Sequence, residues 1–436
     1  MKTLLRGGYV VSGRGCRRAD VLIDGEKIEK VGHIPPELAA QSELVDVTGC
    51  MLFPGFIDAH THFDLDVCNT TTADDFESGS KSAIRGGTTT VIDFACPNKG
   101  ESLAYGLDLW HKKADGKCYC DYGFHMTIDD WNESIESELD AMIEAGITSF
   151  KMYLTYPAMM IGDGAVYRAL KALKARGGIA GVHCENAGVI DARIAELKAS
   201  GLGADVVSHP ISRPDYLEAE AVSRLLRIAQ AADAPVIIVH TTNRASLAEI
   251  AAARRRGQTV YVETCPQYLA LDDGVYYDPD FSSAARYVCA PPIRSQEDCE
   301  ALWKALRRGE VQTISTDHCS FTLAQKDMGR DDFTKIPGGL PGVETRGEVV
   351  YTIAENENKL SLGGVCRALS ENPAKLYGLF PRKGVIAPGS DADIVVYDPG
   401  ASHVLHGAEL LSKAGYTPFE GFRTNGGVSK VYLRGE

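Results

Sequence analysis

From about residue 52 the chain repeats one pattern: an apolar, β-branched run, then a polar loop, then an amphipathic segment. The runs are FPGFIDAH, TTTVIDFA, DYGFHMTI, TSFKMYL, GIAGVHCEN, PVIIVHTT, TVYVETCP and VQTISTDH. Helical periodicity follows in DDFESGSKSAIRGG, SIESELDAMIEAG, GAVYRALKALKARGG, YLEAEAVSRLLRIAQAA, RASLAEIAAARRRGQ and QEDCEALWKALRRG. Strands that read as continuous apolar runs belong to sheets covered on both faces. Eight of them, each followed by a helix or long loop, predict an α/β fold of the (β/α)8 TIM-barrel type. A doubly wound sheet is the competing architecture, but chemically distinctive residues at the ends of several strands favour closure.

The flanks differ. Residues 1–50 alternate short strand-like runs with turns, and after helices near 344–357 and 365–378 the strands GVIAPGSDADIVVYDP and GGVSKVYLRGE return. Each half alone is too small to bury a core. Residues 1–52 and 382–436 are therefore expected to form one small β-sandwich beside a barrel of residues 53–381.

Charge and cysteine usage narrow the partners. With 45 basic and 59 acidic residues the net charge is −14, which disfavours nucleic acid and anionic membranes. No window is apolar enough for a membrane span, and MKTLLRGGYVVSGRG is too weakly apolar for a signal peptide. The twelve cysteines show no disulfide framework, and the pair Cys118 and Cys120 has no second pair to complete a zinc site. The expectation is a cytoplasmic protein with reduced thiols.

Lys151 is out of place in TSFKMYL, because a buried lysine must be paired or neutralised. The polar residues around it explain why it is there. His60 and His62 in GFIDAHTHFD are two apart, so in a strand they share a face. His183, His240 and Asp317 each end a predicted strand, where such barrels carry their active sites. Neutral imidazoles with a carboxylate suit a divalent borderline ion, zinc being the first choice. Four histidines and a carboxylate over-supply one tetrahedral ion that keeps an open position. Two ions about 3.5–4 Å apart would share them, given an anionic bridge. A neutral Lys151 amine that adds carbon dioxide becomes a carbamate, which supplies that bridge.

The segments GFIDAHTHFD, SFKMYLTYP, GVHCENA, VIIVHTT, STDHCSF and GSDADIVVYDP resemble the cyclic amidohydrolases, specifically the hydantoinase and dihydropyrimidinase branch. DDFESGSKSAIRGGTTTVIDFA and YVCAPPIR resemble that branch more specifically. The resemblance implies a barrel with a β-sandwich drawn from both termini, a homotetramer or homodimer, and the same ligands: His60, His62, carboxylated Lys151, His183, His240 and Asp317. It also implies hydrolytic opening of a cyclic amide or imide, such as a 5-substituted hydantoin or a dihydropyrimidine, to an N-carbamoyl amino acid. Asp317 would carry the proton to the leaving ring nitrogen, and Tyr156 would steady the developing oxyanion. The ring would be held by main-chain groups in CAPPIR and IPGGLPG, where Ala290 and Gly338 replace the branch's usual serine and asparagine. Phe63, Leu65, Val67, Met152 and Met159 are the apolar residues expected to face the ring substituent. Allantoinase- and dihydroorotase-type enzymes are the nearest alternatives, but they place an arginine soon after the paired histidines and HTHFDLDV has none. A non-catalytic dihydropyrimidinase-like interaction protein is the alternative of a different class, and it predicts no bound metal.

Overall fold

In the computed structural model, which describes residues 2–436, the eight apolar runs form one parallel sheet. Its strands are β1 (Phe56–Thr61), β2 (Thr88–Ala95), β3 (Asp121–Thr127), β4 (Ser149–Tyr153), β5 (Ile179–His183), β6 (Val236–Ile238), β7 (Val260–Thr264) and β8 (Thr313–Ile314). They pair in chain order from β1 to β8. Just beyond the strand ends, β8 meets β1 through a parallel bridge between Thr61 and His318, and the His62 amide donates to His318 O at 2.8 Å. Below that seam Asp58 accepts from the Thr316 hydroxyl at 2.7 Å. The fully buried Arg346 donates to Ile57 O at 2.8 Å and Ile314 O at 3.0 Å. The ring is thus closed by main-chain and buried side-chain bonds.

Side-chain caps mark where the βα loops end. Asp75, Ser102, Asn132, Asn186, Asn243 and Ser295 each accept from an amide in the first turn of the following helix. Two of these helices, Leu103–Ala114 and Ala187–Ala199, were not among the sequence candidates. The second buries only Ile190, so it carries little apolar stripe to read.

FPGFIDAH divides between two layers. Met51–Pro54 pairs with Ile394–Asp398 in a five-stranded sheet, whereas Phe56–Thr61 begins the barrel. The chain crosses at Gly55, where a Cβ would collide with the Thr89 side chain. That sheet, ordered Gly427–Tyr432, Ile394–Asp398, Met51–Pro54, Tyr9–Ser12, Gly15–Arg18, packs on a four-stranded sheet of N-terminal strands. Leu5, Val21, Ile23 and Ile28 from one sheet and Val10, Leu52, Ile394 and Val396 from the other form their shared core. Both ends of the chain therefore contribute to it.

Lys383 joins this unit to the barrel floor, with Nζ 2.5 Å from Asp121, 2.6 Å from Asp393 and 3.2 Å from Asp391. Among the described residues the twelve cysteines are unpaired, and no helix is long and apolar enough to cross a membrane.

Candidate active site

The C-terminal ends of the barrel strands surround a cavity of about 450 Å³. His60, His62, Lys151, His183, His240 and Asp317 all line it, as do Tyr156, Ala290, Gly338 and Leu65. Strand geometry accounts for the first group. Residues two apart share a face, so His60 and His62 point inward while Thr61 and Phe63 point away. Lys151 and Tyr153 likewise line the cavity, and Met152 between them is buried in the surrounding core. This corrects two expectations. Phe63 and Met152 do not face the cavity; Phe63 packs on Phe76, with ring centroids 5.7 Å apart, and against Gly79. Leu65, Val67 and Met159 do line it.

The donor atoms converge. Ligand atoms of His60, His240 and Asp317 lie within 4.8 Å of one another. Asp317 Oδ1 is 3.2 Å from His60 Nε2 and 3.1 Å from His62 Nε2. The His183 and His240 ring centroids are 4.5 Å apart. Lys151 Nζ approaches His60 Nε2 at 3.3 Å and lies over the Phe94 ring, 4.9 Å from its centroid.

Neighbouring carboxylates orient two of the imidazoles. His60 Nδ1 donates to Glu263 Oε1 at 2.6 Å, which leaves Nε2 to the centre. His183 Nε2 donates to Glu185 Oε2 at 2.7 Å, and Arg213 Nη1 donates to the same oxygen at 2.7 Å. A carboxylate behind a ligating imidazole sets its tautomer and raises its basicity. His240 Nδ1 and His62 Nδ1 are buried without a hydrogen-bond partner. Clustered imidazoles with one carboxylate, some ring nitrogens without a partner, fit a divalent-cation site.

The electrostatics agree with that chemistry. Burial pushes the Lys151 ammonium below its usual range, against the pull of Asp317 and Glu263, which favours the neutral amine. Burial also lowers His62, to about 4, and takes His240 well below the ordinary histidine range. Burial alone would raise Asp317, but His60, His62 and His240 outweigh it and hold the carboxyl well below the usual range. His240, Asp317 and Tyr156 also sit at φ of 35°, 52° and 65°, a left-handed backbone that non-glycine residues adopt at a cost.

Sequence reasoning did not name Glu263, Glu185 or Arg213. Glu263 stands in the apolar run VYVETCP as Lys151 stands in its own strand, and Glu185 follows His183 by two. Those were the available signals. Arg213 left none, since only the fold brings it to the cavity.

The amidohydrolase family profile matches residues 51–436. Over 440 aligned positions the chain is 41% identical to a D-hydantoinase of Streptomyces coelicolor, covering 100% of this chain and 94% of that protein.

The chain belongs to the amidohydrolase family.

This amidohydrolase is also 38% identical to a D-phenylhydantoinase of Escherichia coli, with 100% of this chain and 94% of that protein covered. Its fold superposes on the solved dihydropyrimidinase of Brevibacillus agri with a TM-score of 0.97 at 41% identity, covering 100% and 94% of the two chains. Family membership implies a divalent-metal centre, and the cluster of His60, His240 and Asp317 has donor atoms close enough together that it could hold an ion.

Proposed function

We propose that this amidohydrolase opens five- or six-membered cyclic amides or imides, in the manner of hydantoinases and dihydropyrimidinases, to N-carbamoyl amino acids. The observation that carries the reading is the meeting of His60, His62, Lys151, His183, His240 and Asp317 in one cavity. Its wall combines Leu65, Val67 and Met159 with the main chain at Ala290 and Gly338.

His60, His62, Asp317 and Lys151 would hold one divalent ion, and His183, His240 and Lys151 a second. Zinc is our choice from the donor set, and a carboxylated Lys151 would supply the anionic ligand that the histidines and Asp317 leave wanting. Such ions polarise a carbonyl and bring the pKa of water toward about 7. The protein's own part is proton transfer and positioning. Asp317 takes the proton from the attacking water and returns it to the ring nitrogen as the amide bond breaks. Tyr156 directs its hydroxyl at the carbonyl oxygen as negative charge builds there. Main-chain groups at Ala290 and Gly338 hold the ring, and the apolar side chains receive a hydrogen, alkyl or aryl substituent. A Cβ placed on Gly338 would meet only Ala290 N, at 3.9 Å, so this wall is roomy.

Arg213 does line the cavity, but its guanidinium is engaged by Glu185 at 2.7 Å. This ranks dihydroorotase- and allantoinase-type substrates lower. A cytoplasmic location is our reading from the twelve unpaired cysteines, which suit a reducing compartment. We propose a homotetramer or homodimer on the family resemblance.

Turnover of hydantoin, 5-phenylhydantoin, dihydrouracil, allantoin and dihydroorotate, with metal analysis of the same preparation, tests the reading. Hydrolysis of the first three rings with bound divalent metal is expected. Protein without metal and without turnover would favour the interaction-module alternative. Asp317→Asn should keep metal near the wild-type level and lower turnover by about 10²–10⁴-fold; retained activity would remove Asp317 from the proton path.

A further inference from the structure

Lys326 is a buried cation that the proposed chemistry does not use. It ends the short helix Leu323–Lys326, and its side chain is fully buried. Its Nζ donates to Val288 O at 2.7 Å, Pro337 O at 2.6 Å and Gly339 O at 2.8 Å. An ammonium has three N–H groups, and here all are spent on main-chain carbonyls. No carboxylate is among its bonded partners; besides the carbonyls it has the Phe321 ring, 5.7 Å from Nζ.

The location of those carbonyls gives the arrangement its meaning. Pro337 and Gly339 flank Gly338, and Val288 lies two residues before Ala290. The same Val288 carbonyl also accepts from the Gly339 amide at 3.0 Å. Gly339 is pressed so closely on Cys319 O that a Cβ there would collide with it. One ammonium therefore ties together the two segments that bring Ala290 and Gly338 to the cavity wall. A buried cation without a counter-ion is a costly fastener for two loops, since burying charge opposes folding. An apolar side chain would fill the space at less expense. What the ammonium adds is a rigid spacing between three carbonyls.

We infer that Lys326 is a positioning residue that sets the distance between the Ala290 and Gly338 main chains, and so the fit of the substrate ring. The inference rests on the reading that those segments hold the ring. Lys326 neither lines the cavity nor hydrogen-bonds to any of the proposed metal ligands, and it acts through the loops alone.

Lys326→Met and Lys326→Arg test it, with metal content, KM and kcat on a cyclic imide, and hydrogen exchange of peptides covering 286–292 and 336–342. Lys326→Met should keep its metal, raise KM at least tenfold with a smaller change in kcat, and speed exchange in both peptides. Lys326→Arg, which keeps the charge and donors, should recover part of the KM. If Lys326→Met does not fold, a folded Lys326→Arg whose KM is at least threefold above wild type supports the inference, and a wild-type KM overturns it. Folded Lys326→Met with KM within twofold of wild type overturns it as well, while the hydrolase reading stands. Wild-type protein that opens none of the rings would overturn both together.

Discussion

Replacing Glu263 with glutamine probes the carboxylate that aims His60. Both side chains are 1% exposed, and Nδ1 meets Oε1 at 2.6 Å. The same oxygen accepts from the His240 amide at 3.2 Å, so one carboxylate steadies two of the histidines proposed to hold metal. Glutamine retains the shape and one acceptor oxygen but removes the charge. A hydrogen bond to a charged group contributes about 1.5–3 kcal/mol, against about 1 for a neutral one. The difference, about 0.5–2 kcal/mol, corresponds to roughly 2- to 30-fold in metal affinity. That lies near the usual 10–100-fold cost of losing a group behind a metal ligand. Competition against a chelator of known affinity, with far-ultraviolet circular dichroism on the same sample, measures it. Weaker metal binding with an unchanged spectrum is the expected result. An affinity within twofold of wild type would refute the argument that Glu263 governs the His60 tautomer.

Three further outcomes follow from the same geometry. Lys151→Ala should lose metal and activity together, with partial rescue by small carboxylic acids acting as surrogate bridges; a variant that keeps its ions and full turnover would make Lys151 an ordinary lysine. Gly79→Ala drives a methyl into the fully buried Phe63 ring, which outweighs the helix-propensity gain. It should cost about 1–3 kcal/mol in urea unfolding, and an unchanged midpoint would show that the helix can shift. Burial pushes the Lys326 ammonium down from 10.5 to about 8. Between those values the folded state binds fewer protons than the unfolded chain, so the unfolding free energy rises with pH across that window. The rise is limited to about 3 kcal/mol, and it should be absent in Lys326→Met. A pH dependence identical in wild type and variant would contradict it.

Much of the barrel could be read in advance because its strands are buried on both faces and appear as unbroken apolar runs such as TTTVIDFA. A polar residue in such a run stands out. That contrast exposed Lys151, His183 and His240, which the structure brings to one cavity. The same contrast was present at Glu263 but carries no pairing information, because a sequence does not say which imidazole a carboxylate faces. Phe63 and Met152 were misassigned for a related reason: they are apolar and close in sequence to site residues, yet strand alternation turns them outward into the core. The helix Ala187–Ala199 was missed because it buries a single residue and so shows no stripe.

By itself the sequence determined the local quantities: strand and helix periods, the strand-end placement of the histidines and Asp317, and the burial that forces a special state on Lys151. Those depend on neighbours a few residues away and on the two-sided burial of parallel strands. Only the tertiary structure decided which groups meet across the barrel. Glu263 behind His60, Arg213 against Glu185, and Lys326 against Val288 are such meetings. Each is a contact between strands or loops distant in sequence, created when eight strands close into a ring. Ring closure sets those distances, and no periodicity in the chain encodes them.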